Sequence, residues 1–217
     1  MTFCLNTKII KPEKSIKIKN AIILLHGYGG DGNDISMLTL NWKRHLPNTV
    51  FLCPNGHEPC SLNPAGFQWF DLTKDDPIYI LEQSKKAEMR LNQFIEEVKS
   101  EYKLENNKIC LSGFSQGCMM SINLGLTVKN EFNCIIGFSG KIIDQKDLKF
   151  RKKNSTKILL IHGDNDEIVS PGHLLEAKDF FIRNNINVET HLIKNCGHNI
   201  PIESSSIALS YIQKNFL

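Results

Sequence analysis

Short apolar segments alternate with longer amphipathic segments along most of this 217-residue chain. Several of the apolar segments are near-continuous runs of branched aliphatic residues, which is typical of strands covered on both faces. We predict strands over residues 21–26, 49–54, 108–113, 134–140, 157–163 and 188–193. Between them, apolar residues recur at three- and four-residue spacing, which predicts helices. The predicted helices cover residues 78–103, 116–128, 172–184 and 203–216.

This alternation of strands and helices determines the expected fold class. A helix between successive strands favours parallel pairing, with helices on both faces of the sheet. The chain shows no internal repeat, low-complexity segment or linker, and its length suits a single core. We therefore predict a single α/β domain over residues 1–217, with a mostly parallel central sheet.

The stretch GFSQG places Ser115 between two glycines, where a predicted strand meets a predicted helix. A sharp turn at this serine leaves no room for a Cβ atom at Gly113 or Gly117. The turn exposes the hydroxyl beside a helix N-terminus, where backbone N–H groups favour developing negative charge. The pattern predicts a nucleophile elbow. The alternative is a plain strand–helix junction with a capping serine.

Three other predicted strands also end in glycine-containing loops with polar residues. These loops begin with His26-Gly27, with the sequence HGDNDE at 162–167 and with KNCGH at 194–198. In an open parallel sheet, ligands bind at the carboxyl ends of the strands, so the loops are expected to lie together. A serine, an acid and a histidine thus follow one another in the chain order that α/β hydrolases use. This order favours catalysis over capping.

Several motifs together resemble the carboxylesterase/acyl-protein thioesterase (phospholipase–carboxylesterase) family of the α/β-hydrolase superfamily. They are LHGYGG, GFSQG, HGDNDEIV and a late GH, with WFD at 69–71, and the resemblance runs from about residue 20 to the C-terminus. It implies an α/β-hydrolase fold without a large lid domain, and hydrolysis of esters and thioesters with no metal or cofactor. One departure is Cys118, which stands where the family usually has glycine, and another is Ser170, which separates Val169 from Pro171.

The resemblance and the chemistry of ester cleavage assign candidate catalytic roles. Ser115 is expected to attack the carbonyl carbon, and His198, in the loop before the final helix, to accept and return its proton. Asp164 and Asp166 compete as the acid that orients the histidine. The resemblance selects Asp166, and Asp164 is then expected to form the turn.

Backbone groups complete the predicted site. The N–H groups of Tyr28 and Gln116 are expected to form the oxyanion hole, since each directly follows a motif residue at a strand end.

His26 and His162 each follow a strand and precede glycine. We expect both histidines to be structural, with hydrogen bonds to neighbouring backbone.

The segment 55–77 combines three prolines and two glycines, which preclude a regular helix, with several large apolar residues. A loop rarely carries so much apolar surface unless it packs on something. We predict an apolar wall beside the serine that binds the acyl chain. The alternative is that these side chains only pack beneath the loop. The predicted substrate-binding residues are Leu62, Phe67, Trp69 and Phe70.

Composition narrows the remaining function classes. The formal net charge of +3 is small and evenly distributed, so nucleic-acid binding is not expected, and the basic residues within 149–153 are expected to form a solvated loop. Seven cysteines without CxxC spacing argue against a disulfide framework and a zinc site. No apolar run approaches the ~20 residues of a membrane helix, and the N-terminus does not resemble a signal peptide. We expect a cytoplasmic protein without stable membrane insertion.

These expectations define a serine hydrolase that cleaves small-molecule or lipid-like esters with short to medium acyl chains through an acyl-enzyme. Deacylation of S-acylated proteins and hydrolysis of lysophospholipids are alternatives that use the same groups. A third alternative, from a different class, is a non-catalytic binding module on the same fold. Such modules usually have a broken triad, whereas this chain retains a serine, an acid and a histidine in the expected order.

Overall fold

A computed structural model describes residues 3–216 of the chain. Within this range the strands are β1 (Thr7–Ile10), β2 (Asn20–Leu25), β3 (Thr49–Pro54), β4 (Glu58–Pro59), β5 (Phe67–Gln68), β6 (Ile109–Phe114), β7 (Cys134–Phe138), β8 (Ile158–Gly163) and β9 (Val188–Ile193). The α-helices are α1 (Gly32–Ile35), α2 (Thr39–Trp42), α3 (Pro77–Tyr102), α4 (Gln116–Thr127), α5 (Gln145–Arg151), α6 (Gly172–Arg183) and α7 (Ile202–Phe216).

The central sheet has seven strands in the order β1-β3-β2-β6-β7-β8-β9. Neighbouring strands of this sheet pair in parallel, except that β1 is antiparallel to β3. Strands β4 and β5 form a separate small hairpin. The predicted mostly parallel sheet is confirmed. The sequence pattern did not reveal β1, the hairpin, or helices α1, α2 and α5, because each is too short to show a clear period.

Alternate residues of each central strand pack against opposite helical layers. In β2, Ile23 and Leu25 belong to the core that contains apolar residues of α3, α4 and α6. Ile22 and Leu24 belong to the second core, with Trp42 of α2 and residues of α7. Both faces of the sheet are therefore covered. This is why the strands appear in the sequence as continuous apolar runs rather than as alternating patterns.

The parallel strands bring the loops that follow β2, β6, β8 and β9 to one edge of the sheet. These are the loops in which the sequence places its candidate catalytic residues, so the topology alone brings the motifs together. Among the helices of residues 3–216, none combines the length and apolar character that a membrane span requires.

Helix α5 corrects the expectation that the basic residues within 149–153 form a solvated loop. Arg151 is the last residue of this helix, and its Nη1 and Nη2 atoms donate to the two carboxylate oxygens of Glu88 at 2.7 and 3.0 Å. Its Nε donates to Asp147 at 2.6 Å. Glu88 is 7% exposed, so the guanidinium compensates a buried carboxylate. The pair connects α3 to α5.

We expect the substitution Arg151→Ala to lower the free energy of unfolding by about 3 kcal/mol, because it leaves the Glu88 carboxylate buried without its cationic partner. The substitution Lys149→Ala, at an exposed position of the same helix, is the control and should change stability by less than about 0.5 kcal/mol. Urea denaturation of both variants measures the difference. Equal midpoints for the two variants would contradict a stabilising role of the pair.

Candidate active site

Ser115 occupies a strained turn between β6 and α4. Its φ of 52° lies in the left-handed region, which a residue with a side chain rarely adopts. Its N–H donates to the carbonyl of Phe138 in the neighbouring strand at 2.8 Å. A Cβ at Gly113 would overlap the carbonyl of Gly117, and a Cβ at Gly117 would overlap the carbonyl of Leu25. The steric requirement for glycine on both sides of the serine is thus confirmed.

A continuous chain of hydrogen bonds connects Ser115 to a histidine and a buried acid. The Nε2 atom of His198 lies 3.0 Å from Ser115 Oγ, and its Nδ1 atom lies 2.7 Å from Asp166 Oδ2. The three residues follow β6, β9 and β8. With the proton on Nδ1, the imidazole donates to the carboxylate and accepts from the serine hydroxyl. This arrangement has the geometry of a nucleophile, a base and an orienting acid.

Asp166 keeps its charge although its side chain is buried. Burial by itself would raise the pKa of this carboxyl group, but hydrogen bonds from His198 and from the backbone hold the pKa below its ordinary value of 3.8. The backbone donors are the N–H groups of Ile168 at 3.0 Å and of Val169 at 2.9 Å, both to Oδ1. The carboxylate is therefore ionised at neutral pH and available to a positively charged imidazole.

Asp164 has a different environment, in keeping with the turn-forming role expected for it. Its Oδ1 atom accepts a hydrogen bond from the N–H of Cys196 at 3.3 Å, and its own N–H donates to Ile193 at 3.0 Å. These contacts join the loop after β8 to the loop that carries His198.

Two buried histidines make backbone contacts near the site, as the sequence predicts. His26 Nδ1 lies 2.7 Å from the carbonyl of Gly27, and its Nε2 accepts from the N–H of Gly56 at 2.8 Å. His162 Nε2 lies 2.8 Å from the carbonyl of Val169 and 3.2 Å from Asp166 Oδ2. Burial lowers the pKa of both rings, so they are neutral at pH 7. They support the loops that carry other groups of the site.

The loop after β2 lies directly against the serine. A Cβ at Gly27 would be 3.3 Å from the Cβ of Ser115, so the backbone immediately before the N–H of Tyr28 lies against the serine. The N–H of Gln116 begins helix α4 immediately after the serine. Among residues 3–216, neither of these two N–H groups has a hydrogen-bond acceptor. Two free donors beside a nucleophile can bind a developing oxyanion.

The side chain of Gln116 fastens the segment after the small hairpin to the start of α4. Its Oε1 atom accepts from the N–H of Trp69 at 2.8 Å, and its Nε2 donates to the carbonyl of Phe70 at 2.7 Å. The indole N–H of Trp69 donates to the carbonyl of His26 at 3.0 Å. Trp69 thus connects the serine turn to the loop that carries Tyr28.

The structure does not bring the expected wall residues together. Trp69 and Phe70 are each 1% exposed and lie in the core between the sheet and helices α3 and α4. Leu62 is 78% exposed, and Phe67 is half-buried where its backbone pairs with Gly29 and Gly30. Trp69 and Phe70 therefore have no surface to offer a substrate. The apolar character of the segment indicated packing, but not its direction.

An apolar cavity of about 490 Å³ lies next to His198 and was not foreseen from the sequence. None of the four expected wall residues lines it. Met37 and Leu38 contribute one side, and Ile200 and Ile202 contribute the other. The one available signal was the apolar sequence IPI shortly after the candidate histidine.

Cys118 packs into space that neighbouring glycines leave open. A Cβ at Gly137 or at Gly140 would overlap the Cys118 thiol. Burial raises the pKa of this thiol to about 12, so it stays protonated and behaves as a small apolar side chain. The departure from the family motif is thus accommodated beneath the serine turn. Within residues 3–216, no cluster of three or more histidine, cysteine or acidic side chains is arranged to hold a metal ion.

Known proteins similar to this chain resemble it over nearly its whole length. The sequence profile of the phospholipase/carboxylesterase family matches residues 6–216. The esterase YpfH of Escherichia coli (strain K12) is 29% identical over 200 residues, covering 88% of this chain and 81% of the relative. Acyl-protein thioesterase 1 of Yarrowia lipolytica is 26% identical over 209 residues, covering 89% and 91%. The crystal structure of esterase PE8 superposes with a TM-score of 0.92 at 30% identity, covering 97% and 99%.

We expect the substitution Trp69→Ala to lower the free energy of unfolding by about 3–5 kcal/mol, because it leaves a large cavity in the core. Leu62→Ala, at an exposed position of the same segment, is the control and should change stability by less than about 0.5 kcal/mol. Chemical denaturation followed by far-UV circular dichroism compares the two. A Trp69→Ala protein as stable as the parent would contradict its placement in the core.

Proposed function

Because this chain belongs to the phospholipase/carboxylesterase family of α/β hydrolases, and is an enzyme of the esterase and thioesterase type, we propose that it cleaves carboxylic esters with short to medium acyl chains through an acyl-enzyme on Ser115. The observation that carries the proposal is the hydrogen-bonded chain from Ser115 Oγ through His198 to the buried Asp166. A hydroxyl without such a base is too weak a nucleophile at neutral pH.

Acylation begins when Ser115 Oγ attacks the ester carbonyl carbon. His198 Nε2 accepts the hydroxyl proton, and Asp166 stabilises the imidazolium and holds the ring in the required tautomer. The N–H groups of Tyr28 and Gln116 donate to the oxyanion of the tetrahedral intermediate, and losing one such donor typically costs ~3 kcal/mol of transition-state stabilisation. The intermediate collapses as His198 returns the proton to the departing oxygen.

Deacylation repeats the sequence with water as the nucleophile. His198 removes a proton from the water as its oxygen attacks the acyl carbon, and then protonates Ser115 Oγ as the ester bond to the enzyme breaks. The products are a carboxylic acid and the regenerated serine. Every proton transfer in the cycle uses the same imidazole nitrogen, so the hydrogen bond at Nδ1 stays intact throughout.

Thioester cleavage is a second candidate, because relatives of similar identity are acyl-protein thioesterases. Hydrolysis of lysophospholipids is an alternative with the same groups. The intact hydrogen-bonded chain argues against a non-catalytic binding module.

A reducing, cytoplasmic location agrees with seven free cysteines, all within the described residues. That residues 1–217 act as a single domain stays a prediction.

A fluorophosphonate probe tests the nucleophile, since it reacts with an activated serine. We expect it to label the parent protein, and we expect Ser115→Ala to abolish both labelling and hydrolysis of p-nitrophenyl esters while the protein stays folded. Alanine removes one oxygen and leaves the turn sterically unchanged, and far-UV circular dichroism checks the fold. An unlabelled parent would favour the binding module. A folded Ser115→Ala protein that still reacts would place the nucleophile elsewhere.

Two isosteric substitutions separate the roles of the neighbouring acids. Asp166→Asn removes the charge that stabilises the imidazolium and can favour the wrong tautomer, so kcat should fall by up to ~10⁴-fold. Asp164→Asn should retain most activity and lower mainly stability, because its carboxylate accepts a hydrogen bond from the backbone N–H of Cys196 rather than from His198. Steady-state kinetics with p-nitrophenyl butyrate gives kcat for each variant. An inactive Asp164→Asn beside an active Asp166→Asn would reverse the assignment.

A further inference from the structure

The cavity beside His198 has no role in the reaction as described so far. It lies between the segment that follows β2 and the segment that follows β9, and its volume of about 490 Å³ is typical of small-molecule sites. The indole N–H of Trp42 in α2 donates to the carbonyl and hydroxyl oxygens of Ser205 in α7, at 3.1 and 3.0 Å, so the two sides are held together. Apolar side chains that line the cavity are Ile35, Met37, Leu38, Phe114, Ile200 and Ile202.

The acylation step determines which half of an ester can occupy this cavity. The bond from Ser115 Oγ to the acyl carbon forms, the bond from that carbon to the alcohol oxygen breaks, and the proton from Oγ passes through His198 Nε2 to the departing oxygen. This nitrogen must therefore reach both Oγ and the leaving oxygen within hydrogen-bond distance. The alcohol half consequently lies beside the imidazole, whereas the acyl chain extends from the carbonyl carbon away from it.

We propose that the cavity is the leaving-group pocket of the site and that it selects esters whose alcohol half is apolar and uncharged. His198 lines the cavity, and the ring of Phe114 packs against the imidazole with centroids 4.7 Å apart. The inference rests on the proposed function, because it requires Ser115 as nucleophile and His198 as the group that protonates the leaving oxygen.

The charges around the cavity support this selection. Among the described residues no lysine or arginine lines it, whereas Asp34 does. Glu203, in the first turn of α7, adds a second negative charge beside Ile202. A phosphate-bearing alcohol, such as the leaving group of a lysophospholipid, would lose hydration here without gaining a lysine or arginine partner, and the negative charge of Asp34 would repel it. A neutral aliphatic or aromatic alcohol would instead gain apolar contacts.

Two exposed side chains at the sides of the cavity allow a test that leaves the core intact. Met37 is 63% exposed and Ile202 is 78% exposed, and each lines the cavity. The test variant is Met37→Ser/Ile202→Ser. The matched control is Met89→Ser/Leu175→Ser, which changes one methionine and one aliphatic residue of similar exposure, 68% and 64%, away from the cavity.

The experiment varies the two halves of the ester separately. In the first series acetate is the acyl group, and the ratio of kcat/KM for the hexyl ester to kcat/KM for the methyl ester should fall about tenfold in the test variant. A tenfold change corresponds to the loss of apolar contact with roughly two buried methylenes of the hexyl group. With p-nitrophenol as the leaving group, the octanoyl-to-acetyl ratio should not change. The deacylation rate constant, measured after a pre-steady-state burst, should also be unchanged, because the alcohol has already left. The control variant should match the parent in the hexyl-to-methyl ratio, in the octanoyl-to-acetyl ratio and in the deacylation rate constant.

Other outcomes overturn the assignment in distinct ways. A change in the octanoyl-to-acetyl ratio or in the deacylation rate constant, with a constant hexyl-to-methyl ratio, would make the cavity an acyl pocket. Constant ratios in both series, or a control that changes as much as the test variant, would exclude the cavity from substrate selection. If the parent cleaves no ester and the fluorophosphonate does not label it, the proposed function fails and the pocket fails with it. If the parent cleaves esters but does not prefer hexyl over methyl alcohol, only the pocket fails.

Discussion

The site depends on the close approach of helix α4 to the carboxyl ends of β2 and β6, which glycine alone permits. At Gly113 and Gly117 any side chain would overlap neighbouring backbone carbonyls. The contact forces the chain between them through the left-handed conformation of Ser115. The strained turn raises the hydroxyl above the sheet and directs the first N–H of the helix into the same space. Strain in the backbone is thus stored where the chemistry needs an oxygen held in a fixed position.

Around this turn, the buried side chains of Asp166, His26 and His162 keep their geometry because hydrogen bonds hold them in place. The carboxylate of Asp166 accepts hydrogen bonds from two backbone N–H groups and from His198, which offsets the cost of its burial. His26 and His162 are neutral and hydrogen-bonded to the loops on either side of the serine. The positions of the reactive groups therefore follow from the backbone of several strands, and the rigid sheet fixes their separation. The adjoining cavity then governs what can approach the imidazole.

The sequence by itself determined the layers of the fold and the identity of the candidate triad. The bounds of the predicted strands and long helices agree with the structure to within about two residues. Burial of these elements produces local apolar runs and periodic apolar positions in the sequence, from which the bounds can be predicted. The nucleophile elbow could be predicted because its steric requirement, glycine on both sides of the serine, lies within five consecutive residues. The Ser…Asp…His order predicted a common site because a parallel sheet brings the carboxyl ends of its strands to one edge. The choice of Asp166 over Asp164 came from the family resemblance, and the contact with His198 supports it.

Only the tertiary structure decided which way side chains face when the deciding partner is far along the chain. Trp69 faces the core because Gln116, 47 residues away, holds its backbone, and nothing in residues 55–77 encodes that contact. Arg151 pairs with Glu88 across 63 residues, so a sequence that suggested a solvated loop became part of a buried ion pair. The cavity arises between segments that follow the second and the last strands. A contact between distant segments leaves no periodic pattern in either one, so local sequence cannot reveal it.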